Sequence, residues 1–242
     1  MTHPRPPLED LIYPPFRGFS REGISFLRRL KANNNRAWFA EHRSEYEELV
    51  RFPMQCLIAS LGARMRDIAP EFEFHPRASI FRIHRDIRFS RDKSPYKTNI
   101  AASFGMRGVG GAPEGPGLYV GIEPGNIFMG GGLYMPAPAQ LKAIRARLAA
   151  RPEEYLGVVE SRRFRTAFGE ILGDRLAKAP LGYAADHPMI RHLRLKQFYA
   201  GVELDDHQVC FYPGFRARVQ RVLTDVLPLV RWLHGAVTGR ES

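Results

Sequence analysis

Apolar positions near the start of the chain are spaced for helices. Ser20 is placed to cap a helix containing Ile24, Phe26, Leu27 and Leu30, and Asn33, Asn34 and Asn35 end that helix and cap the next. Trp38, Phe39, Tyr46, Leu49, Val50, Leu57, Ile58, Leu61, Met65 and Ile68 then recur at helical spacing. Pro53 falls inside this run and predicts a kink or two abutting helices. Ahead of them, residues 1–18 carry Pro4, Pro6, Pro7, Pro14 and Pro15. They predict a loose leader, draped over the domain by Leu11, Ile12, Tyr13 and Phe16.

At residue 81 the period changes from helical to two. Phe81, Ile83, Ile87 and Phe89 alternate with Arg82, His84, Asp86, Arg88 and Ser90, which predicts a strand with one apolar and one charged face. Arg85 alone breaks the alternation. Either a bulge rotates it outward, or it enters the apolar side and needs a partner there. The strand runs into a turn at Ser94 and Pro95. Further strands are expected at 98–106, 118–123, 127–135 and 196–204. The short links among the earlier ones favour antiparallel pairing.

Ala101, Ser103, Gly105, Gly121, Gly130 and Gly132 put small side chains at alternating strand positions. Such positions serve tight packing or form a shallow floor beneath a ligand. The segment 105–117 is a glycine-rich loop without a phosphate-binding fingerprint. Helices follow from Pro136, Ala137 and Pro138, from Pro152, over 162–168, over 187–194 and over 213–234, where Pro228 marks a kink. The expected architecture is α+β: a single domain over 19–242, with a mainly antiparallel sheet of about five strands flanked by helices from both the N- and C-terminal segments.

Composition changes this picture in one respect. Hydrophobic content of 44% and charged content of 25% are ordinary, but the net charge is +11. Of the 36 basic residues only Lys31, Lys93, Lys97, Lys142, Lys178 and Lys196 are lysine. The balance favours anionic partners. Cys56 and Cys210 sit among apolar residues and suggest buried thiols rather than a disulfide framework. Without a signal core or a membrane-length apolar run, a reducing cytoplasm and no membrane partner are expected.

The charge concentrates in residues 81–100, which hold Arg82, Arg85, Arg88, Arg91, Lys93 and Lys97 against Asp86 and Asp92. This stretch resembles the signature R-x-x-R-D-x-R-F-x-x-x-K-x-P-Y-x-x-N of a largely bacterial family, domain of unknown function 2461. The match falls on Arg82, Arg85, Asp86, Arg88, Phe89, Lys93, Pro95, Tyr96 and Asn99. Residues 30–39, 130–136 and 195–199 are also similar to family segments, so the likeness runs from about Phe19 to Leu233. It implies a shared site to which the family assigns no function. His84 falls at a variable position of the pattern.

Three readings of the motif are open. In the first, Arg82, Arg85, Arg88, Lys93 and Lys97 bind a phosphate- or carboxylate-bearing small molecule, since guanidinium forks grip such anions in pairs. Asp86 then orients Arg82 or Arg85, Tyr96 and Asn99 supply directional hydrogen bonds, and Lys196 and Tyr199 join from the last strand. Tyr96, among cations, is the candidate general acid or base if a reaction follows. In the second reading the basic residues contact a nucleic-acid backbone, although Phe81 and Phe89 fall on the face opposite Arg82 and Arg88. In the third, Arg85 with Asp86, or Arg88 with Asp92, form an ion-pair lattice and no ligand is involved.

No cofactor is expected, and no metal-binding spacing occurs around His187, His192 or His207, the last of which reads as part of a solvated turn. The serines near the motif lack a nucleophile elbow, and Cys56 lacks a cationic setting.

Overall fold

The computed structural model describes residues 13–88, 90–107 and 115–239. Phe89, Leu11, Ile12, the first three prolines and the middle of the glycine-rich loop therefore lie outside the described residues. The backbone divides into two compact units. The first holds Met1–Ala102, Gly121–Ile127 and Asp205–Arg218, and the second Ser103–Val120, Phe128–Leu204 and Val219–Ser242.

In the first unit, helix α1 (Arg21–Ala32) starts where expected, with Ser20 Oγ accepting from the Gly23 amide at 2.9 Å. Its apolar face, Ile24, Phe26, Leu27 and Leu30, is buried. Asn33 closes α1 by donating from Nδ2 to Arg29 O at 3.0 Å, and Asn35 Oδ1 caps α2 (Arg36–Glu41) through the Trp38 amide at 3.0 Å. The path continues through α3 (Arg43–Tyr46), a π-helical turn (Glu47–Arg51) and α4 (Phe52–Met65).

Pro53 explains the widened turn. It offers no N–H to the Leu49 carbonyl, and its ring would clash there in an α-helix. Gly23 of α1 closes on that carbonyl instead: a Cβ at residue 23 would lie 2.3 Å from Leu49 O. Phe16 is buried against Phe19 and Phe215, at ring distances of 5.5 and 6.4 Å.

The sheet has four strands, not five: β1 (Ile100–Gly105), β2 (Gly117–Glu123), β3 (Asn126–Leu133) and β4 (Phe198–Leu204), paired antiparallel in that order. The segment expected to be the main strand is the one missing. Residues 80–102 form an irregular hairpin with isolated bridges from Ile80 to Ala102 and from His84 to Tyr96. Side chains take the backbone groups that a ladder would need. Asp86 Oδ1 accepts the Arg88 amide at 3.2 Å, Asp92 Oδ1 accepts the Ser94 amide at 2.9 Å, and Pro95 has no amide to give. The alternation itself survives. From Phe81 to Arg88, half-buried and exposed residues alternate strictly, and Arg85 takes the half-buried phase.

In the second unit, α5 (Pro138–Ala150) and α6 (Pro152–Val159) start at the prolines that the sequence marks, and α7 (Arg162–Phe168) covers its expected range, capped by Ser161 Oγ on the Phe164 amide. The helix expected over 187–194 shrinks to α8 (Ile190–Leu193). The closing helix α9 (Gly214–Thr238) runs unbroken past Pro228. The strand glycines are explained by close packing. A Cβ at Gly131 would lie 2.9 and 3.0 Å from Val230 and Val226 of α9. Gly132 has φ +140°, and its Cβ would lie 2.2 Å from Phe198 O. The fold is thus α+β, with helices from both ends of the chain. Among the described residues, no helix is long and apolar enough to cross a membrane.

Candidate functional site

The irregular hairpin and the end of α1 enclose an open hollow of about 720 Å³ in the first unit. Its position depends on one side chain. Asn34, between the two capping asparagines, donates from Nδ2 to Tyr96 O at 2.9 Å and accepts the Tyr96 amide on Oδ1 at 3.0 Å. A single carboxamide thus pairs with Tyr96 as a neighbouring strand would. The Tyr96 ring is buried, stacked on Phe39 at a centroid distance of 4.2 Å. Its hydroxyl has no hydrogen-bond partner among the described residues, and Tyr96 lines the hollow together with Thr98 and Asn99.

Both acids of the motif are engaged. Arg88 grips Asp86 with Nε on Oδ1 at 3.0 Å and Nη2 on Oδ2 at 2.7 Å. Asp92 accepts Ser94 Oγ on Oδ1 at 2.6 Å and pairs with Arg85 through Oδ2. These bonds favour the ionised carboxylates. The Arg88 guanidinium, its amide, and Arg82 beyond them bring Asp86 down to about 2. The Ser94 hydroxyl and amide, then Arg85, hold Asp92 well below the usual carboxylate range. Lys93 is tied to Ile87 O at 3.0 Å.

Lys97 differs from these residues. It is half-buried in the wall of the hollow, with its ammonium 5.1 Å from the centre of the Phe81 ring. Burial, and then the nearby Arg82 guanidinium, push its pKa below that of a free lysine. No carboxylate among the described residues forms an ion pair with Lys97, Arg82 or Lys31, and both lysines line the hollow.

The sequence profile of a family of conserved hypothetical proteins, DUF2461, matches residues 22–232. The chain belongs to the DUF2461 family. The match takes in every residue that lines the hollow. No curated protein and no solved structure matches the chain.

In this DUF2461 chain the sequence-predicted residues separate into groups. Arg85, Asp86, Tyr96, Lys97 and Asn99 line the hollow. Arg82, Arg88 and Lys93 are not among the lining residues: Arg82 acts on Lys97 through its charge, Arg88 holds Asp86, and Lys93 braces the hairpin. Asp86 pairs with Arg88 rather than with Arg82 or Arg85, and the lattice joins Arg85 to Asp92, the opposite cross-pairing to the one expected. Lys196 and Tyr199 belong to the second unit and do not line the hollow. Lys196 is exposed, and Tyr199 packs edge-on against Phe128 and Tyr134 at 6.2 and 5.3 Å.

Lys31, Asn34, Ser94 and Thr98 are lining residues that the pattern did not suggest. Asn34 left a trace: of three consecutive asparagines, two suffice to cap the flanking helices, and the middle one has no local task. His207 is not a free turn residue, for its ring contacts the Gly125 amide at 3.1 Å and Arg28 Nη2 at 3.2 Å.

Proposed function

We propose that the hollow binds a small molecule bearing phosphate or carboxylate. The observation that carries this reading is the Lys97 ammonium, half-buried in the wall of the hollow with no acid partner among the described residues. Burial opposes its charge first, and the Arg82 charge adds to that, so an anion arriving in the hollow would relieve both. Lys31 extends the positive wall, while Arg85 and Arg88 are neutralised by Asp92 and Asp86 and act as braces. The Tyr96 hydroxyl, Thr98 and Asn99 offer directional hydrogen bonds to the same ligand. Any proton transfer would fall to Tyr96, and a Tyr96→Phe variant that turns over a bound ligand normally would remove that role.

Calorimetric titration with inorganic phosphate, pyrophosphate and citrate tests the proposal. Lys97→Met should weaken binding about tenfold to a hundredfold, the loss of one charged hydrogen bond. Arg91→Ala, at an exposed arginine outside the hollow, should leave it unchanged. Failure of all three anions to bind would refute the reading. Tight binding of a single-stranded oligonucleotide that collapses with salt would favour backbone contact instead.

A further inference from the structure

The remaining lining of the hollow narrows the class of ligand, granted that the hollow binds an anion at all. A bare phosphate needs only cations and amides. Two carboxylates also line this hollow, and both are held in the ionised state at every physiological pH by bonds to Arg88 and to Ser94 and Arg85.

A carboxylate has about four lone-pair positions. Asp86 uses three: the Arg88 amide and Nε on Oδ1, and Nη2 on Oδ2. Asp92 also uses three: the Ser94 amide and hydroxyl on Oδ1, and Arg85 on Oδ2. Each keeps one acceptor position on Oδ2. Fixed, ionised acceptors repel phosphate but take hydrogen bonds from hydroxyl groups. Thr98 and Asn99, whose side chains have no hydrogen-bond partner among the described residues, add groups that both donate and accept.

A nucleobase finds no support here. The aromatic ring lining the hollow belongs to Tyr96, which is 6% exposed and stacked on Phe39. Among the described residues, no ring face lining the hollow is therefore open for stacking, which is the usual source of base affinity. A volume of about 720 Å³ in an open hollow leaves room beyond a lone phosphate for a phosphorylated ring of monosaccharide size.

We propose that the ligand is a phosphorylated polyol, a sugar or cyclitol phosphate. Its phosphate sits against Lys97 and Lys31, with the Arg82 charge adding to the attraction from outside the hollow, and its hydroxyls donate to Asp86 and Asp92.

Titration of the full chain with inorganic phosphate, ribose, ribose 5-phosphate, glucose 6-phosphate, inositol 1-phosphate and AMP tests this class. At least one sugar or inositol phosphate should bind about tenfold or more tighter than inorganic phosphate and than ribose, the gain from hydrogen bonds to charged acceptors. AMP should bind no tighter than ribose 5-phosphate. Asp86→Asn and Asp92→Asn should reduce the advantage of the sugar phosphate while leaving inorganic phosphate bound equally or more tightly, because each removes a repelling charge. A collapsed site would weaken both ligands, so the opposite signs separate recognition from damage. Phosphate binding without any gain from the polyol would overturn this inference and leave the anion site standing. Tighter binding of AMP would overturn it in favour of a nucleotide. No binding by any of these anions would remove both proposals.

Discussion

Replacing Asn34 with alanine removes the two hydrogen bonds that hold the backbone of Tyr96, at 2.9 and 3.0 Å. Each such bond contributes about 1 kcal/mol, and a donor or acceptor left unpaired in a buried setting costs about 1–3 kcal/mol. Tyr96 is 6% exposed, but the two bonds to Asn34 are only partly buried. The expected loss is therefore about 2–3 kcal/mol, at the lower end of the combined range. In a chain of this length that corresponds to a fall in Tm of roughly 4–12 °C.

Because the chain forms two compact units, the sharper probe is local: hydrogen exchange at the Tyr96 amide, which should accelerate in the variant. Asn34→Asp is the informative companion. A carboxylate still accepts the Tyr96 amide, but it cannot donate to Tyr96 O and sets negative charge against that carbonyl. It should rescue neither stability nor protection. A stability change for Asn34→Ala within about 0.5 kcal/mol, with the Tyr96 amide protected as before, would refute the clasp.

Lys97→Met should raise Tm at neutral pH while weakening anion binding. The folded-state pKa of Lys97 lies below the 10.5 of a free lysine, so the unfolded chain holds that proton more firmly. Stability then rises with pH across the window up to 10.5, and the charged lysine opposes folding below it. The advantage of Lys97→Met should vanish above that window, and a lower Tm at pH 7 would contradict the assignment. Gly132→Ala should cost about 3 kcal/mol or more, measured by urea unfolding, because φ +140° and a Cβ 2.2 Å from Phe198 O leave no relaxed position. The native protein should resist thiol titration at pH 8 and expose two reactive cysteines when unfolded. Burial raises the Cys56 thiol, and it pushes Cys210 up to about 12.

Most helix starts were legible because caps are local. Ser20 and Asn35 each bond an amide three residues on, so a residue type and a short spacing suffice to place them, and Ser161, which the sequence reading did not single out, does the same. The strand expected at 81–89 failed for an equally local reason that periodicity does not register. Alternation reports which way side chains face, and those of Phe81 to Arg88 do alternate in exposure. It does not report whether amides are free to pair: Phe81, Arg85 and Lys97 do bond across the hairpin, but Asp86 takes the Arg88 amide and Asp92 the Ser94 amide, so the ladder is not continued.

The amino-acid order therefore set the helices, the antiparallel sheet, the excess of positive charge and its concentration around residues 81–100. All of these follow from relations among residues a few positions apart. Which cations are neutralised and which face open space required the chain to be folded. Arg85 meets Asp92 across the turn, and Arg88 folds back on Asp86 two residues before it rather than reaching Asp92, whereas Lys97 is left without an acid partner among the described residues and feels the Arg82 charge. The hollow exists because Asn34 reaches a backbone 62 residues away. Electrostatic pairing and enclosure depend on distances in space, and no short-range pattern encodes them.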